Sequence, residues 1–133
     1  MSHLSQVKKA APQAPVITTV GFPGVGKSTL AATFPNPIFI QAENATSVFE
    51  TWPEDKQPAF FPELPAPNEK RGIKPSEIII DQLRELATAE HEFKTVVIDA
   101  VTTLDMLFQQ EVIEFDANGA DNIGEAAGGF GKG

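Results

Sequence analysis

Residues Gly21 to Thr29 read GFPGVGKST, so that Gly21, Gly26, Lys27 and Ser28 fall at the spacing G-x-x-x-x-G-K-S. Phe22, Pro23, Gly24 and Val25 fill the intervening positions and Thr29 follows. Backbone N–H groups can wrap an anion closely only where side chains are absent, and a helix beginning at the end of such a loop adds partial positive charge. The pattern therefore predicts a cradle, Gly21 to Thr29, for the phosphate chain of a nucleoside triphosphate such as ATP. Lys27 is expected to reach the β- and γ-phosphates, and Ser28 to ligate Mg²⁺. With glycine at about 7% of residues, a chance match in a chain this short has a probability of roughly 1%. The alternative is a glycine turn that binds nothing; it is weighed by the elements on either side.

Those elements have the required order. Val16 to Val20 (VITTV) is β-branched and follows Pro15, which predicts a buried strand entering the loop. Leu30, Ala31, Ala32 and Phe34 predict a short helix leaving it, stopped by Pro35. Ile38 to Gln41 (IFIQ) predicts a second strand ending near Ala42 and Glu43, and Thr95 to Ile98 (TVVI) a third ending at Asp99. Between them, Ile79, Leu83 and Leu86 recur at helical spacing from Pro75 to about Glu90. After Asp99, Leu104, Leu107, Phe108 and Phe115 do the same, with Thr102 and Asp105 as a capping pair and Asn118-Gly119 as the stop. Strands alternating with helices predict an α/β fold with a mainly parallel sheet and ligand loops at the strand carboxyl ends. Gly21, Glu43 and Asp99 all fall at such ends.

A carboxylate at the end of a hydrophobic strand beside a phosphate loop commonly joins the Mg²⁺ shell, directly or through water. Asp99 fits that role; the alternative is an aspartate that caps the following helix. Turnover also needs a group that orients or deprotonates water, and many ATPases place a glutamate directly after the metal aspartate. Here that position is Ala100, so the Asp-Glu pair of ordinary hexameric AAA+ motors and many helicases is missing. Glu43 is the best-placed substitute, against the alternative of a solvated carboxylate opening a helix.

The remaining sequence sets bounds. The chain has 133 residues, 41% hydrophobic and 21% charged, the composition of one ordinary globular domain. It has no cysteine, which removes disulfides and thiolate metal sites and favours an intracellular reading. No apolar run approaches the roughly 20 residues that span a bilayer, and the N-terminus lacks a signal peptide's apolar centre, so no membrane partner is expected. A net charge of −8 argues against adhesion to nucleic acid through the whole surface. Residues 1–14 read as a flexible arm. Residues 51–75 hold six prolines and three aromatics without periodicity and read as an insertion or surface loop. Trp52, Phe60 and Phe61 are expected to pack locally, the alternative being a base-stacking platform, and Lys70, Arg71 and Lys74 form a small basic cluster.

GFPGVGKST, then IFIQAENA, then TVVIDAVTTL resemble the RecA-like P-loop ATPases, most of all the phage nucleotide-binding subgroup. The resemblance covers about residues 15–133, firm at the strands and loose through the 51–75 insertion. It implies a three-layer core in which the Glu43 position activates water, Lys27 and Ser28 hold phosphate and Mg²⁺, and Asp99 holds the Mg²⁺ shell. It also implies a cytoplasmic protein of the bacterial host, acting in DNA recombination or single-strand annealing as a homo-oligomer on single-stranded DNA. Ala100 departs from the family's hydroxyl residue. The family's further strands, which carry its γ-phosphate sensor and DNA surface, do not follow GGFGKG, so the core is expected to be incomplete. Two other readings stay open: a nucleoside or small-molecule kinase, against which stand only two arginines, and a nucleotide-binding fragment without turnover. A GTPase is disfavoured by the absence of an N-K-x-D base-reading motif.

Overall fold

The computed structural model describes residues 2–126. Its framework is a parallel sheet of three strands, β1 (Pro37–Gln41), β2 (Ala59–Phe60) and β3 (Thr95–Asp99), in the spatial order β2-β1-β3. Three helices accompany it: α1 (Lys27–Ala32), α2 (Pro75–Thr88) and α3 (Val101–Glu114). The expected α/β class with a parallel sheet is the observed one. Among the described residues no helix is long and apolar enough to cross a membrane.

β1 is the central strand, and its apolar run explains why. A strand flanked on both edges and covered on both faces has no polar side to show, and Ile38, Phe39, Ile40 and Gln41 are all buried. Ile40 faces a core of Ala42, Leu64, Ile79 and Leu104, joined by Ile78, Phe108 and Leu107, so α2 and α3 close that side. Phe39 faces the other way and packs against Phe49 and Phe60, while Trp52 packs edge-on against Phe49 at 4.9 Å between ring centroids. The expected local packing of Trp52 and Phe60 is what this aromatic cluster provides; Phe61 sits beside the Ile40 core.

Four sequence expectations are corrected. Val16–Val20 forms no strand: Val16 and Val20 are almost fully exposed and the segment makes no ladder, because β-branching favours a strand only where a neighbour offers a surface to pack on. The third strand instead lies inside the proline-rich stretch, where Ala59 and Phe60 pair with Ile38 and Phe39 between Pro58 and Pro62. α3 starts at Val101 with Ala100 as its N-cap and no side-chain cap, so Thr102 is inside the helix, and the helix ends at Glu114, before Asn118. Leu83 lies on the outer side of α2, whose buried stripe runs through Pro75 and Ile79 instead. β3 has the apolar run of a buried strand, yet Val96 and Ile98 are exposed on one face because it is an edge strand. The glycine-rich end beyond Ala126 lies outside the described residues.

α2 and α3 are held together by polar contacts as well as by the core. Pro75 opens α2, a position where its missing N–H costs nothing. The next residue, Ser76, donates its N–H to the Oε1 of Glu111 on α3 at 3.3 Å, and Glu114 accepts the N–H of Glu69 at 3.0 Å. Lys74 lies over the ring of Phe115, 4.9 Å from its centroid, and pairs with Glu77 at 3.7 Å. Its ammonium is therefore engaged at the junction of the two helices.

Candidate functional site

The phosphate-loop sequence bends because two of its glycines adopt backbone that other residues avoid. Gly24 has φ 82° and Gly26 φ 99°, both left-handed, and Gly26 is the N-cap of α1. Gly26 O accepts the N–H of Leu30 at 2.9 Å, so the loop passes directly into the helix. Phe22 O accepts the N–H of Val25 at 3.3 Å, closing the turn between them.

Lys27 folds over this loop. Its ammonium donates to the carbonyl oxygens of Gly21 at 2.6 Å and Phe22 at 3.0 Å. Two of the three ammonium donors are thus aimed at the loop's own backbone, and a phosphate oxygen would be a stronger, charge-assisted partner for them. Thr19, Val20, Val25, Gly26, Lys27 and Leu30 line an open cavity of about 360 Å³ beside the loop.

Ser28, one residue on, donates its hydroxyl to Oδ2 of Asp99 at 2.5 Å. This bond joins residues 71 apart in the chain, and it brings the loop helix to the carboxyl end of β3. A hydroxyl and a carboxylate are the hard oxygen donors that Mg²⁺ takes, and that ion keeps most of its shell for water and phosphate. Ser28 and Asp99 therefore fit such an ion as a two-residue anchor. Among the described residues there is no group of three or more His, Cys, Asp or Glu able to hold a metal unaided.

The ends of β1 and β3 are locked in register at the same level. Gln41 lies opposite Asp99, and the next amide, of Ala42, donates to Asp99 O at 2.9 Å. Gln41 is buried, and both ends of its amide are used: Nε2 donates to Phe61 O at 2.8 Å and Oε1 accepts the N–H of Ala45 at 3.3 Å. That second bond spans Glu43, so Gln41 shapes the bend on which Glu43 stands. Glu43 itself is exposed, and its Oε2 accepts the hydroxyl of Thr103 at 3.1 Å. Thr103 is in the first turn of α3, four residues after Asp99.

The structure thus brings Ser28 and Asp99 into direct contact, puts Lys27 across the loop beside them, and sets Glu43 on the neighbouring strand end, bonded to Thr103 and not to Lys27 or Ser28. Gln41 and Thr103 were not singled out by sequence. For Gln41 a signal existed, since a glutamine closing the apolar run IFI must find hydrogen-bond partners if it is buried. For Thr103 the neighbouring Thr102 drew attention as a cap, and no local pattern reveals a partner 60 residues away.

Searches of curated proteins and of solved structures gave no match. A profile of the AAA domain family matches residues 13–133, which takes in the phosphate loop, all three strands and all three helices. With most of its length matched and its loop and strand-end carboxylate in contact, the chain belongs to the AAA domain family, whose domains are of the nucleotide-binding, P-loop NTPase type.

Proposed function

We propose that this chain binds ATP with Mg²⁺ and hydrolyses it, as a RecA-like ATPase serving DNA recombination or single-strand annealing in a phage or its bacterial host. The observation that carries the reading is the Ser28–Asp99 hydrogen bond at 2.5 Å, which joins the phosphate loop to the strand-end carboxylate. Bound there through Ser28 and Asp99, Mg²⁺ would supply charge neutralisation at the β- and γ-phosphates. The backbone from Gly21 to Thr29 holds the phosphates, and Lys27 turns its ammonium from the loop carbonyls to the phosphate oxygens. Glu43 accepts a proton from a water molecule as its oxygen attacks the γ-phosphorus. The bond from that phosphorus to the bridging β-oxygen breaks, leaving ADP and phosphate, and the proton passes on to solvent.

Ala100 supports Glu43 in that role, because no carboxylate follows Asp99 to do the work. Action on single-stranded DNA, assembly with further copies of the chain and a cytoplasmic setting belong to the same reading and rest on the resemblance of the three motifs. Transfer to a nucleoside would call for an arginine-rich lid, and of the two arginines Arg84 is paired with Asp81 at 2.9 Å on the surface of α2.

The test is a pair of variants measured for ATP binding and for single-turnover hydrolysis, with and without single-stranded DNA. Lys27→Ala should abolish binding, whereas Glu43→Gln should keep binding and lose turnover by about 100-fold or more, the scale of a lost general base. Equal loss of binding in both would remove Glu43 from the chemistry. Binding without hydrolysis in the unaltered chain would reduce the function to nucleotide binding, and phosphate appearing on an added nucleoside would make it a kinase. Indifference to single-stranded DNA would remove the recombination setting.

A further inference from the structure

An exposed glutamate is a poor general base if it is free to swing, since orientation of the attacking water is most of its contribution. Glu43 is not free. Its Oε2 accepts the Thr103 hydroxyl at 3.1 Å, and Thr103 stands in the first turn of α3, where Leu104 N–H donates to Ala100 O at 3.0 Å. The backbone on the other side is equally fixed: Ala42 and Ala45, which flank Glu43, are buried, and their amides are bonded to Asp99 O and to Gln41 Oε1. Of the two carboxylate oxygens, one is engaged by Thr103, leaving the other to accept a proton from water.

From this geometry we infer that Thr103 is a positioning residue for hydrolysis, holding Glu43 through the Thr103 Oγ1 to Glu43 Oε2 hydrogen bond so that its second oxygen faces the attacking water. The inference rests on the reading of Glu43 as the water-activating carboxylate. Because Thr103 follows Asp99 by one helical turn, the same strand-to-helix junction that carries the metal-shell carboxylate also carries the support for the base. The two carboxylates are thus kept in fixed relation although they come from different strands. A hydroxyl donor occupies one acceptor site of a carboxylate and leaves the other oxygen open, so the bond orients the group without consuming it.

The experiment is single-turnover and steady-state ATP hydrolysis by the full chain carrying Thr103→Val, Thr103→Ser, Glu43→Gln and the Thr103→Val/Glu43→Gln pair. Valine keeps the shape and removes the donor, so kcat should fall about three- to tenfold with KM for ATP unchanged, the effect of losing one hydrogen bond. Serine keeps the donor and should restore the rate. In the Glu43→Gln background Thr103→Val should add no further loss, because a residue that acts through Glu43 has nothing left to position. Thr103→Val at the unaltered rate while Glu43→Gln is slow would overturn the positioning role alone, as would serine no faster than valine or losses that multiply in the pair. A rise in kcat in Thr103→Val would overturn it too, by showing that the bond restrains Glu43 away from its task. Glu43→Gln at full rate, or no turnover in the unaltered chain, would remove the underlying reading of Glu43 and this inference with it.

Discussion

Gly21 and Gly26 are both demanded by the phosphate loop, but for different physical reasons. At Gly26 nothing lies within 4 Å of an added Cβ, so the obstacle is the backbone itself, held at φ 99°. An L-residue there costs about 1–2 kcal/mol, or the loop changes shape to avoid the cost. At Gly21 the backbone is permissive, and the obstacle is the side chain of Val25, whose Cγ2 would stand 2.8 Å from the new Cβ. Gly26→Ala should therefore weaken ATP binding by about tenfold or more, and trimming neighbours should not restore it. Gly21→Ala should also weaken binding, but Gly21→Ala/Val25→Ala should recover most of the affinity. Calorimetric titration with ATP distinguishes the two; recovery of Gly26→Ala by Val25→Ala would show that the φ argument is wrong. The same contrast explains what sequence made legible here. Gly21, Lys27, Ser28 and Asp99 could be picked out because loop spacing and a strand end are local signals. The Glu43–Thr103 bond depends on two strand ends lying side by side, which only the assembled sheet supplies, whereas the turn that Gln41 fixes around Glu43 is local to residues 41–45.

At the scale of elements, β1 was legible because an apolar run of β-branched and aromatic residues has few other fates, and α2 because Ile79, Leu83 and Leu86 recur at helical spacing after Pro75. β2 was not legible: two residues between prolines carry no pattern, and they form a strand because β1 offers them an edge, with Phe61 N–H also donating to Phe39 O at 2.9 Å. Val16–Val20 is the reverse case, a good strand sequence without a neighbour. Helix ends depend on tertiary partners in the same way. The start of α2 has no side-chain cap of its own, and Glu111 from α3 accepts its Ser76 N–H at 3.3 Å. Glu111 is buried at 9% exposure, so removing it leaves that N–H with little water to replace the bond. Glu111→Ala should lower the unfolding free energy by about 1–2 kcal/mol in urea titration, and Glu111→Gln, which keeps an acceptor, by less. ATP affinity should not change in either. Equal loss from Gln and Ala would mean that charge or packing, not the accepted hydrogen bond, is what Glu111 contributes.

In the molecule as a whole, the fold and the site are unevenly built. The packed core joins β1, α2 and α3, and the aromatic cluster covers the other side of β1, whereas α1 buries no residue and Leu30 on it is exposed. The phosphate loop and α1 reach the sheet through Ser28 and Asp99, and among the described residues the loop's other polar contacts are internal to residues 21–30. A ligand that binds the loop and the strand ends together should therefore order a weakly attached part of the fold while leaving the core as it is. Linkage then sets the size of the effect: at a free ATP concentration 100-fold above Kd, the native state gains about 2.7 kcal/mol. For a chain of this length that corresponds to a rise in Tm of about 10 °C. The gain should need Mg²⁺ with ATP, should vanish in Lys27→Ala, and should be reduced in Ser28→Ala, where the link to Asp99 is cut. Hydrogen exchange should locate it, with added protection from Gly21 to Ala32 and at the ends of β1 and β3, and little change in α2. A thermal shift of the same size in Lys27→Ala, or protection gained mainly in α2, would place the nucleotide somewhere other than this loop.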